Sequence, residues 1–298
     1  MSTRRKKFER RAGTFAFVRI RKWLLKKDIF KAEKVGERLG RMAFKLGKRR
    51  RNITLSNLEI AFPEKTPEER YAIAQGVFEH FGRIMCDFVR SDTRSKQEVM
   101  ESMTLDGFDH IHDMFPPEDG FIILTGHFGN WERVAQYVAL CGYKLGVVVR
   151  DPDDGGLNDL VVNLRTAAGL EVIPRGMAAR TVLTKLKRHE PVALLPDQNS
   201  DESFPLFFGK PTGTVLGPAV LAQRGKSKIY ITFCYRTGPG KYRYRLTSVI
   251  DPVAEPKPTA TEIMARFNQD LEQVVREFPD QYLWMHNRWK SARQKGLL

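Results

Sequence analysis

Apolar residues along the chain recur with two different periods, and the period changes near residue 120. Before it the spacing is helical. Phe17, Ile20 and Leu24, with Trp23 beside them, form one stripe, and Val35, Leu39, Met42 and Leu46 form a second. Ile73, Val77, Phe81, Ile84 and Phe88 define a helix over about 68–90, with Thr66 as its N-cap and Pro67 at its first position. Beyond residue 120, short apolar runs alternate with helical stretches. "FIILT" (121–125), "LGVVV" (145–149), "LEVIP" (170–174) and "PVALLP" (191–196) read as buried strands, and the three segments between them read as helices ending at Gly142, at Gly169 and before Pro191. Strand–helix–strand alternation predicts right-handed crossovers and a mostly parallel sheet. A helix over about 214–225 follows, then a hairpin of "KIYITFCYRTG" and "KYRYRLTSVI" turned at Gly238-Pro239-Gly240, and a last long helix stopped at Pro279. The predicted fold class is α/β: a mostly parallel central sheet flanked by helices, with an N-terminal helical layer and a C-terminal hairpin.

Charge divides the chain differently from periodicity. The whole chain carries a formal net charge of +15, yet residues 1–51 hold 20 Lys/Arg against four acids, and the other 247 residues are close to neutral. The expected organisation is therefore a basic amphipathic segment over 1–50 and a single domain over 51–298. Cations around an apolar stripe with an aromatic suit an anionic membrane surface, each basic residue contributing about 1 kcal/mol there. No unbroken apolar stretch reaches 18 residues, so a spanning helix is not expected. A nucleic-acid partner is not expected either, because the cations are confined to one end and no nucleic-acid-binding motif is present. Cys86, Cys141 and Cys234 lack metal-ligand spacing and read as reduced thiols.

The chemistry is placed by "GHFGNWE" (126–132). His127 follows the carboxyl end of a buried strand, where open α/β sheets bind ligands. Asn130 reads as the N-cap of the next helix, which puts His127 and Glu132 near a helix N-terminus. The dipole there favours a neutral imidazole and an ionised carboxylate. The pair reads as a general base, His127, oriented by Glu132. No G-x-S-x-G elbow or flanking cysteine supplies a protein nucleophile, so the base is expected to act on a substrate hydroxyl that attacks an activated acyl group. A hydrolase that activates water with the same two residues is the alternative. Arg150, Arg175, Asp197 and Gln198 follow other strand ends on the same side of the sheet and are further candidates. A guanidinium there could hold a phosphate or a developing oxyanion. No metal site is expected.

The same box resembles the H-x₄-D/E motif of the glycerolipid acyltransferase superfamily, and in particular of the lipid A biosynthesis (lauroyl/myristoyl) acyltransferase family. Four further stretches resemble that family in order: "RRRNITLSNLEIAFPE" (49–64), "LRTAAGLEVIPR" (164–175), "LLPDQNSDESFPLFFGKPTGTVLGPAVLA" (194–222) and "DQYLWMHNRWK" (280–290). The resemblance implies His127 as base with Glu132 as partner. It also implies a pairing of Arg165 with Asp197, and His286 and Arg288 near the site or anchoring the last segment. It implies no bound cofactor, but an acyl thioester of acyl carrier protein or coenzyme A as donor and a lipid or glycolipid hydroxyl as acceptor. The implied place of work is the cytoplasmic face of the inner membrane. The family's lipid A enzymes usually begin with a spanning helix. This chain has the basic amphipathic segment, so peripheral attachment is expected and the acceptor stays open.

Overall fold

A computed structural model describes residues 18–149 and 156–298; Phe17 and Arg150 lie outside the described residues. Helix α1 (18–25) leads into α2 (Ile29–Leu46), α3 (Lys48–Ala61) and α4 (Pro67–Phe88). Short helices α5 (Lys96–Glu101) and α6 (Ile111–Met114) flank strand β1 (Met103–Leu105). Then come β2 (Ile122–Leu124), α7 (Trp131–Leu140), β3 (Gly146–Val149), α8 (Gly156–Ala167), β4 (Glu171–Pro174), α9 (Ala178–Lys187) and β5 (Val192–Leu194). A two-stranded ribbon, β6 (Leu206–Phe207) and β7 (Lys210–Pro211), precedes α10 (Gly217–Gly225). The hairpin β8 (Ile229–Gly238) and β9 (Lys241–Ile250), then α11 (Ala260–Glu277) and α12 (Lys290–Gln294), complete the chain.

The main sheet has the order β1-β9-β8-β2-β5-β3-β4. Strands β2, β3, β4, β5 and β8 run parallel, β9 turns back along β8, and β1 pairs parallel to β9. The mixed, mostly parallel sheet and its hairpin match the expectation from periodicity; β1, only three residues long, has no sequence signal of its own. The central strands read as unbroken apolar runs because helices cover both faces. Ile122 and Leu124 face one core with Val192, Leu194, Ile229 and Ile231. Ile123 faces the other with Ala193, Tyr230 and Cys234. Thr66 caps α4 in a reciprocal pair with Glu69, behind Pro67.

The N-terminal layer is set by glycine. Helix α2 crosses α4 in backbone contact: a Cβ on Gly36 would run into the Gly82 carbonyl, and one on Gly40 into the Phe78 carbonyl. With Ala32, Gly36, Gly40 and Phe44 turned inward, Leu39, Met42 and Leu46 face solvent, Leu46 at 77% exposure. From α1, Leu24 is buried while Ile20 and Trp23 are exposed. The described acids of this segment are engaged. Asp28 caps α2, Glu33 pairs with Arg236 of β8, and Glu37 pairs with Arg41 and Arg83. Lys22, Lys26, Lys34, Arg38 and Lys45 stay exposed. Among the described residues no helix is long and apolar enough to cross a membrane.

Gly40→Leu should force the two helices apart. Overpacking of this kind costs about 1–3 kcal/mol, so the urea midpoint of the purified protein should fall while Leu39→Ser, on the outward face, leaves it nearly unchanged. An unaltered midpoint in Gly40→Leu would refute the close crossing.

Candidate active site

Strands β2 and β5 are neighbours, with Leu124 opposite Leu194. His127 and Asp197 each lie three residues beyond those partners, so the two chains deliver them to the same level above the sheet. One carboxylate then holds the histidine twice. Asp197 Oδ2 accepts the main-chain N–H of His127 at 2.8 Å, and Oδ1 accepts from imidazole Nδ1 at 2.7 Å. With Nδ1–H donated, Nε2 carries the lone pair, and it has no partner among the described residues. The Trp131 ring stands edge-on to the imidazole at 5.1 Å.

This corrects the expected pairing. Glu132 makes no hydrogen bond to His127; it takes Arg165 in a two-pronged ion pair, Nε to Oε2 at 3.1 Å and a terminal nitrogen to Oε1 at 2.5 Å, with the Trp131 indole N–H on Oε1. Arg165 in turn is not paired with Asp197. The reason is topological: α7 and α8 bring Glu132 and Arg165 together, while Asp197 is committed by strand register to His127. Glu132 still acts on the imidazole through its charge.

Burial pulls the His127 pKa down, but the charge and hydrogen bond of Asp197 and the charge of Glu132 outweigh it, and the group ends above its ordinary value. The Asp197 carboxyl would be pushed up by its burial, yet the facing His127 and its two hydrogen bonds hold it below the usual carboxylate range.

The turn between β2 and α7 is fixed at each residue. Gly129 has φ +56°, and a Cβ there would collide with the Cys234 carbonyl, which explains why this position is glycine. The buried His80 ring donates Nε2–H to the Gly129 carbonyl at 3.1 Å, and burial drives its pKa to about 3, so it stays neutral. The Gly129 N–H donates to Gln281. Asn130 caps α7 as expected, accepting from Arg133 N, and donates its side-chain amide to Asp87. Asp87 is buried and also holds Arg133, Arg94 and the Tyr242 hydroxyl.

The C-terminal stretch closes the other side. Phe128 bridges Tyr282, and Leu283 N donates to the His127 carbonyl at 3.1 Å. His286 Nε2 accepts the main-chain N–H of Asn199 at 2.9 Å. Arg288 is not free to meet a substrate: it is 1% exposed and donates to the Gly213 and Gln198 carbonyls, the Thr214 hydroxyl and the Asn268 side chain. Of the two placements expected for it, these bonds make it an anchor of the last segment. Arg175 and Gln198 are exposed and make no side-chain bond to His127, Glu132 or Asp197. Arg150 lies outside the described residues. Phe207 and Phe208, which follow the loop after β5, are core residues packed on Trp289 and Trp284. Sequence reasoning missed His80, Asp87 and Gln281. Only their helical spacing from the apolar face of α4, His80 three residues after Val77 and Asp87 three after Ile84, hinted at the first two. Among the described residues no cluster could hold a metal ion.

A single free imidazole nitrogen, with the other seated on a buried carboxylate at the carboxyl edge of a parallel sheet, is an arrangement able to accept a proton. The sequence profile of the bacterial lipid A biosynthesis acyltransferases matches residues 3–291, and the chain belongs to that family of acyltransferases. It is 26% identical over 269 residues to the lipid A biosynthesis lauroyltransferase of Escherichia coli (strain K12), covering 89% of this chain and 86% of that one. It is also 26% identical to the palmitoleoyltransferase of the same organism, covering 86% and 84%. Among solved structures it is similar to the 1-acyl-sn-glycerophosphate acyltransferase PlsC from Thermotoga maritima, with a TM-score of 0.40 and 13% identity over 83% of this chain and 98% of that one.

The geometry fixes the sign of each neighbour's effect on His127. Asp197→Asn removes the nearest anion and should lower the His127 pKa. Glu132→Gln should lower it by less. Arg165→Gln, which removes a cation, should raise it. NMR titration of labelled histidine reads all three, and an unmoved His127 signal in Asp197→Asn would remove that carboxylate as its partner.

Proposed function

We propose that this acyltransferase moves a fatty acyl group from a thioester, of acyl carrier protein or coenzyme A, to a hydroxyl of a lipid A precursor, with His127 as general base held by Asp197. The observation that carries this reading is the doubly bonded His127–Asp197 pair with Nε2 open. Nε2 takes the proton of the acceptor hydroxyl, whose oxygen bonds to the thioester carbonyl carbon. Collapse of the tetrahedral adduct breaks the C–S bond, and the leaving thiolate takes the proton from the imidazolium. Asp197 keeps the tautomer and offsets the charge that forms on the ring, and it remains ionised. Glu132 steadies Arg165 beside the site, and a guanidinium held on one side keeps its remaining N–H groups for an anionic part of a substrate. The acceptor class and the fatty chain are those in the names of the relatives, lipid A and lauroyl or palmitoleoyl.

The reading extends to where the enzyme works. The outward side of α1 and α2 combines Ile20, Trp23, Phe30, Leu39, Met42 and Leu46 with Lys22, Lys26, Lys34, Arg38 and Lys45, all exposed. Lys27 stands over the Trp23 ring at 4.8 Å, and Lys34 over Phe30 at 4.4 Å. Such a surface fits the headgroup region of an anionic membrane, attached peripherally on the cytoplasmic face, where thioester donors are made.

His127→Ala should lower transfer from a lauroyl thioester to a lipid A precursor by about 10²–10⁴-fold, and Asp197→Asn should lower it sharply too. The double variant should resemble His127→Ala alone, because the carboxylate then has nothing to orient. The pH–rate profile should rise through a value above 6.5, the ordinary histidine pKa; the reading is falsified if folded His127→Ala transfers at the parent rate. Release of free fatty acid without acceptor at the transfer rate would favour a hydrolase.

Attachment is tested separately by flotation with vesicles containing anionic lipid. Trp23→Ser combined with Leu46→Ser should weaken binding without unfolding, and added salt should weaken it further because exposed charges are screened. Unchanged flotation would place the contact elsewhere.

A further inference from the structure

His127 and His286 are both held by the short loop that follows β5. Asp197 carries the first, and Asn199, two residues on, carries the second. A main-chain N–H can only donate, so His286 Nε2 must offer a lone pair to it, and the neutral ring then has its proton on Nδ1. Protonation at Nε2 would set N–H against N–H and break the contact. Burial also lowers the His286 pKa, as do the charges of Arg288, His127 and Arg50, against an opposite pull from Asp197. The Nδ1–H has no partner among the described residues.

The seat of this imidazole is rigid. Asn57 donates its amide to the Trp284 and His286 carbonyls at 2.8 and 2.6 Å, and Arg50 donates to the Met285 carbonyl at 3.0 Å. Asn199 is fixed through its own side chain, which bonds to Ser291 twice. Two distant stretches, 49–64 and 280–290, thus combine to present one neutral N–H donor.

General-base transfer needs such a donor. When the acceptor oxygen adds to the thioester, the carbonyl electron pair moves to oxygen, and that oxyanion requires hydrogen-bond donors placed in advance. The main-chain N–H of His127 is spent on Asp197 and that of Gly129 on Gln281. Arg165 gives two of its N–H groups to Glu132.

Resting on the acyl-transfer reading, we propose that His286 is a catalytic residue of this site, donating Nδ1–H to the oxyanion of the tetrahedral adduct. The ring keeps its proton throughout. The hydroxyl proton travels by His127 alone, and the oxyanion hydrogen bond weakens as the C–S bond breaks and the carbonyl re-forms.

Two substitutions in the full chain separate this role from a structural one. His286→Asn places an amide N–H near the Nδ1 position but forfeits the bond from Asn199. His286→Gln places a carbonyl oxygen near Nε2, keeps that bond, and forfeits the donor. With a lauroyl thioester and a lipid A precursor, His286→Gln should lose about 10²–10³-fold in kcat with KM little changed, while His286→Asn keeps most of the parent kcat. Thermal midpoints should order the other way, with Gln nearer the parent. Parental kcat in His286→Gln, equal losses in both variants, or a loss confined to KM would each overturn the proposal. His127→Ala is run beside them. If it transfers at the parent rate, the acyl-transfer reading fails and this inference with it; if it is inactive, the His286 results bear on the oxyanion alone.

Discussion

One carboxylate, Asp197, accepts both the main-chain N–H and the imidazole N–H of His127. The bond to the backbone places the residue, and the bond to the ring turns it, so neither the position nor the tautomer of the base is left free. Both depend on β2 lying beside β5 in register. A shift of that register would separate the pair and leave a buried carboxylate without its donors, which costs several kcal/mol for an uncompensated charge. The sheet and the site are therefore held by the same constraint.

Around that pair most buried polar groups are hydrogen-bonded, although Nε of Arg94 and of Arg288 has no partner among the described residues. Asp87 is deep in the protein yet remains below the usual carboxylate range, since burial, which would raise it, is outweighed by Arg133 and Arg94 and by hydrogen bonds. Breaking a buried pair of this kind costs about 3–5 kcal/mol. That energy is spent on the turn bearing His127, through Asn130, while His80 and Gln281 hold Gly129 from either side. The final segment is part of the same arrangement: Arg288 ties the loops after β5 and β7 to α11 through Gln198, Gly213, Thr214 and Asn268. Its guanidinium is a fastener, although arginine beside an active site invites a substrate role.

The N-terminal layer follows a different logic. Glycines let α2 lie against α4, and its buried acid reaches the sheet through Arg236. Apart from Glu33 and Phe44, the inward positions of α2 are small while Leu39, Met42 and Leu46 face outward, unlike an ordinary surface helix. An outward apolar stripe with cations around it is the physical ground for reading the layer as membrane-facing.

Much was legible in the sequence because it is local. Buried strands show as continuous apolar runs, Thr66-Pro67 and Asn130 mark helix starts through their own side chains, and Gly238-Pro239-Gly240 marks the hairpin turn. The placement of His127 at a strand end follows from the same local pattern. Its partner does not. Glu132 is five residues away in sequence, and Asp197 is seventy, but two other strands enter the chain between β2 and β5, and no local pattern says that those two become neighbours. The inward face of α2 was likewise undetermined, since both its glycine stripe and its leucine–methionine stripe have helical spacing and only contact with α4 selects between them. Periodicity and capping fix elements because their causes lie within a few residues; the pairing of His127 with Asp197, of Glu132 with Arg165, and the burial of Arg288 were decided by strand order and helix packing, which act between residues that the sequence keeps far apart.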